Sequence, residues 1–171
     1  MSKKLYTALI AVLAAVIVAA AALIMLSSRG GASAPAEAVW GYLKASMLYD
    51  AEGMINYSSP YNTDVLSDAN PSSGSVEDYL KLQYSGSVSI YADSELTCSS
   101  RFVKEISKDD ETYAELFADY LKRIPESEEP QAFATVSLEV FSDGAHALYF
   151  PGYAVKFGGR WYYFKPVPHI G

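Results

Sequence analysis

The sequence predicts a transmembrane helix followed by one α+β domain in which helices pack on an antiparallel sheet. Three patterns indicate this class. An uncharged apolar run covers residues 5–26, and apolar residues recur at helical spacing over residues 36–47. Apolar residues then alternate over most of residues 132–167, where the dipeptides Asp143-Gly144 and Gly158-Gly159 are typical of tight turns between strands.

The apolar run has the length of a membrane-spanning helix. A helix rises ~1.5 Å per residue, so residues 5–26 would cross the ~30 Å hydrocarbon core of a bilayer. Lys3 and Lys4 precede the run, whereas Arg29 is the single charge just after it. By the positive-inside rule, residues 1–28 are a cytoplasmic tip and a signal-anchor helix, and the rest of the chain is extracytoplasmic. We therefore expect a single-pass protein of the cell membrane.

A cleaved signal peptide is the alternative to an anchor. Ala32-Ser33-Ala34 has the small-x-small form of a cleavage site, but Pro35 would then be the first mature residue, which peptidases tolerate poorly. The run is also longer than the ~7–15 apolar residues of a signal peptide. We expect an uncleaved anchor that a small-residue linker, residues 29–35, joins to the domain.

The chain beyond the anchor is acidic. All 20 Asp and Glu residues follow residue 34, together with only 10 of the 13 Lys and Arg residues, which gives a net charge of −10 (10 minus 20). Such a surface repels phosphate backbones, so nucleic acid is not an expected partner. Cys98 is the single cysteine, and we interpret it as a buried apolar side chain rather than a reactive thiol.

The residues after the linker predict a pair of helices. Pro35 suits the first turn of a helix, and an apolar stripe follows it. Asp50 interrupts the stripe and is predicted to be the N-cap of a second, short helix, with Ala51, Met54 and Ile55 facing inward. The stripe of the first helix consists of Ala36, Val39, Trp40, Leu43 and Met47.

Residues 58–75 form a long polar segment that we interpret as a loop. Loops of this length are uncommon in compact domains and are usually functional or mobile. The segment contains Asp64, Asp68 and Asn70, whose spacing does not match a calcium-binding loop. These side chains are therefore interpreted as turn-forming residues.

The middle of the chain predicts a helix, an extended segment and a second helix. Ser75 and Asp78 form a capping pattern at the start of the first helix, and Gly86 ends it. Residues 87–106 alternate as an extended segment with a bulge near Ser99-Ser100. Asp109 or Asp110 then caps a helix whose predicted buried face comprises Tyr113, Leu116, Phe117, Tyr120, Leu121 and Ile124.

The turn dipeptides predict two hairpins among the last three strands. If both turns have two residues, the strand register is set. Val140 then lies opposite Ala147, Leu138 opposite Tyr149, Val155 opposite Tyr162, and Tyr153 opposite Phe164. We expect this face, with Phe157, to be the core on which Trp40 and Leu43 pack. Pro151-Gly152 is a candidate bulge that would shift part of the pairing.

The other face of these strands is apolar as well. The helix over residues 113–124 is expected to cover part of it, and the remainder would be an exposed apolar patch of the kind that binds a partner. The alternative is a sheet buried on both faces. The candidate surface, for a protein partner or a second copy of the chain, consists of Phe133, Phe141, Leu148, Phe150, Trp161 and Tyr163.

The order of these elements resembles the small secreted or membrane-anchored NTF2-like proteins of Gram-positive bacteria. The segment Phe157-Gly158-Gly159-Arg160-Trp161-Tyr162-Tyr163 is similar to their last strand, which typically reads Gly-Lys-Trp-Tyr; here Arg160 replaces the Lys. Residues 101–110 resemble their strand-to-helix junction. The resemblance covers about residues 36–166. It implies a cone-shaped domain over residues 36–167, with a helical hairpin on a curved antiparallel sheet and a tail at 168–171. Such folds host both enzymes and binding domains.

Little in the sequence indicates catalysis. His146 is predicted to lie on the same side as Phe141, away from Leu138 and Val140, and His169 lies in the tail. The sequence shows no Ser-His-Asp set, metal-ligand spacing or phosphate loop, so we expect no cofactor and no metal. We predict a membrane-anchored extracytoplasmic binding or assembly domain without catalytic activity. The alternative is a carrier or enzyme that takes a small apolar molecule between the first helices and the sheet.

Overall fold

A computed structural model describes residues 30–69 and 74–168. The chain divides into two units, Met1–Gly30 and Gly31–Gly171, and the elements below belong to the second. The predicted membrane helix over residues 5–26, Asn70 and His169 lie outside the described residues. Within the described ranges, no helix combines the length and the apolar character needed to cross a membrane.

The second unit has five helices and a four-stranded antiparallel sheet in its described part, which confirms the predicted α+β class. The strands follow their chain order across the sheet, β1-β2-β3-β4. The helices are α1 (Pro35–Leu48), α2 (Ala51–Tyr57), α3 (Pro60–Asp68), α4 (Val76–Tyr84) and α5 (Glu111–Arg123); the strands are β1 (Leu96–Ile106), β2 (Ala132–Ser142), β3 (Ala145–Phe157) and β4 (Arg160–Pro166).

Side-chain caps begin most of these helices where the sequence predicts them. Asp50 accepts a hydrogen bond from the Gly53 amide at 3.0 Å, which starts α2. Ser75 accepts one from the Asp78 amide at 3.0 Å and starts α4. Asp110 is the N-cap of α5. Each cap satisfies an amide that the helix itself leaves unpaired.

The predicted loop over residues 58–75 is wrong in its first part, because α3 occupies Pro60–Asp68. Ser59 caps this helix by accepting a hydrogen bond from the Asn62 amide at 3.3 Å, and Pro60 takes the first helical position. Asn62 is the one buried residue of this helix, and Tyr61 and Leu66 are partly buried against the core. Its polar composition therefore gives a weak periodic signal.

The extended segment predicted from residue 87 begins only at Leu96. Residues 87–95 form turns, and Val88 and Ile90, which gave the alternation, are 80% and 85% exposed. The predicted bulge in β1 is present one position later: Ser100 pairs with Leu138 and Phe102 pairs with its neighbour, so that Arg101 is the extra residue.

Two further bulges change the predicted register of the last strands. Val155 lies opposite Tyr162, as predicted. Ala147 is an extra residue in β3, and the pairs predicted for Val140 and Leu138 are therefore wrong: Val140 pairs with Leu148, and Leu138 with Phe150. Phe164 is likewise extra in β4, so Tyr153 lies opposite Lys165 instead. Pro151-Gly152, the candidate bulge, pairs regularly with β2.

Each face of the sheet has a buried cluster, so the prediction of a single core face is wrong. On one face, Leu138 and Val136 pack with Val39 of α1. On the other, Phe133 and Val155 pack with α5. Because α1 packs on one face and α5 on the other, both faces are partly buried. The residue inserted at Ala147 places Val155 on the face opposite Leu138, since a slip of one residue moves every later side chain to the other face.

The predicted contacts of the first helix are correct in part. Trp40 packs against the cluster that contains Leu138, and Leu43 joins Val140 and Met47. Val155 and Tyr162, which were expected there, lie in the α5 cluster. The space between α1 and the sheet is filled, since Val39, Ala38, Ala134, Val136 and Leu138 are all 0% exposed.

The two edges of the sheet differ. The outer edge of β4 is covered near its start, because Ala32 exchanges backbone hydrogen bonds of 2.8 and 2.9 Å with Trp161. The end of the predicted linker therefore extends the sheet. The outer edge of β1 has no paired strand within the described residues. Its bulge at Arg101 and the charged Lys104 and Glu105 are features that discourage pairing with another chain.

Candidate binding site

A cavity of about 810 Å³ lies on the α5 side of the sheet. Helix α3 forms one wall, the segment after α5 forms another, and the end of the β3–β4 hairpin forms the floor. Cavities of this size are typical of small-molecule sites. The described residues that line it are Ser58, Pro60, Thr63, Asp64, Ser67, Val76, Ile124, Ser127, Glu128, Phe157 and Tyr162.

Helix α3 contributes one of its faces to the cavity. Pro60, Thr63, Asp64 and Ser67 are three or four residues apart, so they lie on the same side of the helix. The other side faces inward, where Tyr61 packs edge-to-face on Phe164 with ring centroids 4.6 Å apart. The cavity thus presents two hydroxyl groups and a carboxylate from one helical element.

Backbone and side-chain hydrogen bonds attach the start of α3 to the domain. The Ser59 amide donates to the Tyr163 carbonyl at 2.9 Å, and Asn62 Nδ2 donates to Ser58 Oγ at 2.7 Å. Ser58 Oγ in turn donates to the Met54 carbonyl at 2.8 Å. Ser58, Ser59 and Asn62 are all buried, and burial makes such satisfied polar contacts specific.

Arg123 joins the end of α5 to α3. Its Nη1 donates to Asp64 Oδ2 at 2.9 Å and to Asp68 Oδ2 at 2.8 Å, and its guanidinium lies 5.6 Å from the centre of the Tyr61 ring. The two carboxylates raise the pKa of Arg123 above its usual value. Asp64 and Asp68, which we interpreted as turn residues, instead hold this wall of the cavity in place.

The floor is aromatic, whereas the second wall combines one apolar and two polar side chains. Phe157 and Tyr162 come from the hairpin end of the sheet and belong to the α5 cluster. Ile124 follows α5 as its C-cap residue, and Ser127 and Glu128 continue the wall. None of the described lining residues is Lys or Arg. The cavity therefore combines apolar side chains with hydroxyl groups and two carboxylates.

A second cavity, of about 610 Å³, lies between residues 31–33, α1 and α2. Among the described lining residues, three of the four charged side chains, those of Glu37, Asp50 and Arg160, serve the fold; the fourth is Lys44. Asp50 caps α2, and Glu37 accepts a hydrogen bond from Ser33 Oγ at 2.6 Å, which lowers the pKa of its carboxyl group. Arg160 Nη2 donates to the Gly31 carbonyl at 2.7 Å. We therefore regard the first cavity as the candidate binding site.

The candidate partner surface does not form one exposed patch, which corrects that prediction. Phe133 is 0% exposed under α5, while Trp161 and Tyr163, each 3% exposed, lie in the α1 cluster. Phe150 and Leu148 are half-buried against α1 as well. These five residues are therefore buried or half-buried, as expected from the alternative of a sheet buried on both faces. Phe141 alone of the candidate surface lies on the α5 face beyond the helix.

Helix α5 leaves part of its face of the sheet uncovered. We call this part the open half of the sheet; it contains Phe102, Glu139, Phe141, Tyr149 and their neighbours. These residues share the α5 face, as their pairing across β2 shows. Phe102 and Tyr149 are 50% and 55% exposed. Glu139 forms an ion pair with Arg101. An apolar surface is therefore present, but of the predicted aromatic residues only Phe141 belongs to it, together with Phe102 and Tyr149.

The residues considered for catalysis lie apart from the cavity. His146 faces the same side as Phe141, as predicted, with ring centroids 6.1 Å apart, and is 3.8 Å from Glu139. Burial raises the pKa of the half-buried Cys98 thiol. The described ranges contain no group of three or more His, Cys, Asp or Glu side chains placed to hold a metal ion.

Sequence reasoning missed the cavity because four of its residues lie in α3, which was interpreted as loop. The dipeptide Ser59-Pro60 was the available signal, since a Ser cap followed by Pro at the first position is typical of a helix start. Thr63 and Ser67 follow at helical spacing. The pairing of Asp64 and Asp68 with Arg123 spans more than fifty residues, and no local pattern predicts it.

Comparisons with known proteins found no relative of this chain. No protein-family model, no curated protein and no solved structure matches the chain.

Proposed function

We propose that this chain is a membrane-anchored, extracytoplasmic domain that binds a small molecule without transforming it. The cavity between α3, α5 and the β3–β4 hairpin is the observation that supports binding. Its size suits a small ligand, and its combination of apolar side chains with a few polar groups is the usual composition of such sites. The predicted helix over residues 5–26 supports the location at a membrane.

The environment of the acidic groups supports binding rather than catalysis. Asp64 is 40% exposed and is bound to Arg123, and Glu128 is exposed at the rim. A carboxylate that acts as a general base is usually buried or placed beside a like charge. Either setting shifts its pKa toward the value that proton transfer requires. Neither lining carboxylate is buried, and the positive charge of Arg123 lies between Asp64 and Asp68. The NTF2-like resemblance is compatible with this function, since that fold class includes binding domains.

Binding of a neutral aromatic probe tests this function. In phosphatidylcholine nanodiscs, the full chain should bind 2-(1-naphthyl)ethanol, detected by a change in naphthalene fluorescence. Thr63→Trp should fill the cavity and weaken binding by about 10-fold or more, equivalent to about 1.4 kcal/mol. Val65→Trp is the matched control, because Val65 lies on the same helix, is 38% exposed and does not line the cavity. Equal affinity of the two variants would contradict the proposal.

Self-association through the open half of the sheet is a second candidate function. The exposed Phe102 and Tyr149 favour it, and the occupant we propose is a second copy, because the neighbouring charges are already paired within the chain. Tyr149→Glu should then convert a dimer into a monomer in analytical ultracentrifugation. Val88→Glu, at an 80% exposed position elsewhere, is the control. A wild-type chain that is monomeric at the highest soluble concentration would contradict this candidate.

A further inference from the structure

The charges around the cavity restrict the class of ligand. Two carboxylates and five hydroxyl groups line it, and no basic side chain does so among the described residues. A carboxylate or phosphate ligand would thus meet a charge of its own sign at Glu128, while the guanidinium of Arg123 is already bound by Asp64 and Asp68. The chain beyond residue 34 has 20 acidic and only 10 basic residues, and this excess of negative charge also repels anionic ligands at longer range.

The two lining carboxylates differ in whether they are free to bind a ligand. Asp64 is engaged by Arg123, which also binds Asp68, so its charge is compensated within the protein. Glu128 is exposed and forms no ion pair with another residue in the described ranges, whereas the adjacent Glu129 binds Lys108 at 2.7 Å. Glu128 is therefore the group at the rim that can meet a ligand cation.

The base of the cavity fits an apolar group next to that cation. Phe157, Tyr162 and Ile124 line the same cavity as Glu128, and all three pack against the α5 cluster. Aromatic rings contact a flat apolar group well and also favour a cation near their faces.

We infer that the cavity binds an apolar amine, with its hydrocarbon on Phe157, Tyr162 and Ile124 and its ammonium group beside Glu128. This inference rests on the proposed function, since it names the ligand class of the same cavity. It disfavours fatty acids and phosphorylated molecules as the main ligands, because both would place an anion against the carboxylate of Glu128, which has no ion-pair partner among the described residues.

A matched series of three probes tests the inference. The full chain in phosphatidylcholine nanodiscs is titrated with 2-(1-naphthyl)ethylamine, 2-(1-naphthyl)ethanol and 1-naphthylacetate, with empty nanodiscs as the blank. The amine should bind about 5-fold more tightly than the alcohol, as expected for one partly exposed charge pair, and the acetate should bind most weakly. The preference for the amine should vanish at about 1 M salt, where the screening length is ~3 Å.

The variant Glu128→Gln tests whether the Glu128 carboxylate causes the preference for the amine. This variant should bind the alcohol as the wild type does and lose the preference for the amine. Glu126→Gln is the control, since Glu126 is exposed on the same segment and does not line the cavity. If the alcohol binds in a Thr63-dependent manner but the amine has no advantage, the ligand class is wrong and the proposed function stands. If an amine preference persists in Glu128→Gln, the inference is also wrong. If no probe binds, the proposed function itself fails.

Discussion

Leu138→Ala should lower the free energy of unfolding by about 2–5 kcal/mol. Leu138 is 0% exposed at the centre of the contact between α1 and the sheet, with Val39 and Val136 in the same cluster. Truncation removes buried methyl groups and leaves a cavity that a close-packed core fills only in part. Urea unfolding of the domain from residue 30 onward, followed by far-ultraviolet circular dichroism, measures the loss.

Tyr149→Ala is the informative control for this experiment. An uninterrupted hairpin would put Tyr149 opposite Leu138 in the core, where its loss would be as costly. The bulge at Ala147 instead places Tyr149 opposite Glu139 with 55% of its surface exposed. Its truncation should therefore cost no more than about 0.5 kcal/mol, as for ordinary surface positions. Similar losses in the two variants would show that the bulge is absent and that the hairpin has the simpler register.

Local chemistry explains why much of the fold was predictable. Asp50, Ser75 and Asp110 each satisfy helix amides within three residues of themselves, so a short stretch of sequence contains both the donor and the acceptor. The tight turns at Asp143-Gly144 and Gly158-Gly159 are equally local. Features of this kind depend little on the rest of the chain.

The register of the sheet depends on contacts that the sequence does not display locally. Ala147 and Phe164 are apolar residues within apolar strands, and nothing in their identity marks them as extra residues. Each bulge nevertheless reverses the faces of the residues beyond it. This reversal moved Val155 and Tyr162 to the α5 side and brought Phe150 to the side of Leu138. It also explains why the predicted partner surface is mostly buried.

The candidate site was less predictable than the fold. Its walls come from α3 and from the segment after α5, which are about sixty residues apart and meet through Arg123 and Asp64. The alternation of strands and the stripes of helices indicate what is buried, but they do not indicate where two buried surfaces leave a gap. A cavity is a property of the packed domain, and only its individual residue types could be assessed from the sequence.

The stability of the domain should fall steeply between about pH 10 and pH 12. Burial raises the pKa of Tyr113 and of Tyr120 to about 12, from an ordinary value near 10, and it raises the pKa values of Tyr42 and Tyr163 as well. The folded chain therefore keeps these protons in a range where the unfolded chain has lost them. Since the folded state then binds more protons, stability is complete below pH 10 and decreases as the pH rises through the folded pKa values.

Tyr113→Phe separates the tyrosine effect from the deprotonation of lysines, which also weakens the domain in this range. The Tyr113 hydroxyl donates to the Pro130 carbonyl at 2.6 Å, so at pH 8 the variant should be less stable by about 1 kcal/mol. The advantage of the wild type should shrink from pH 10 to pH 12, because only the wild type gains an ionised Tyr113 on unfolding. Urea unfolding at each pH measures this difference, and tyrosinate absorbance at alkaline pH reports the ionisation directly. An advantage that stays constant up to pH 12 would show that Tyr113 ionises equally in the folded and unfolded chains.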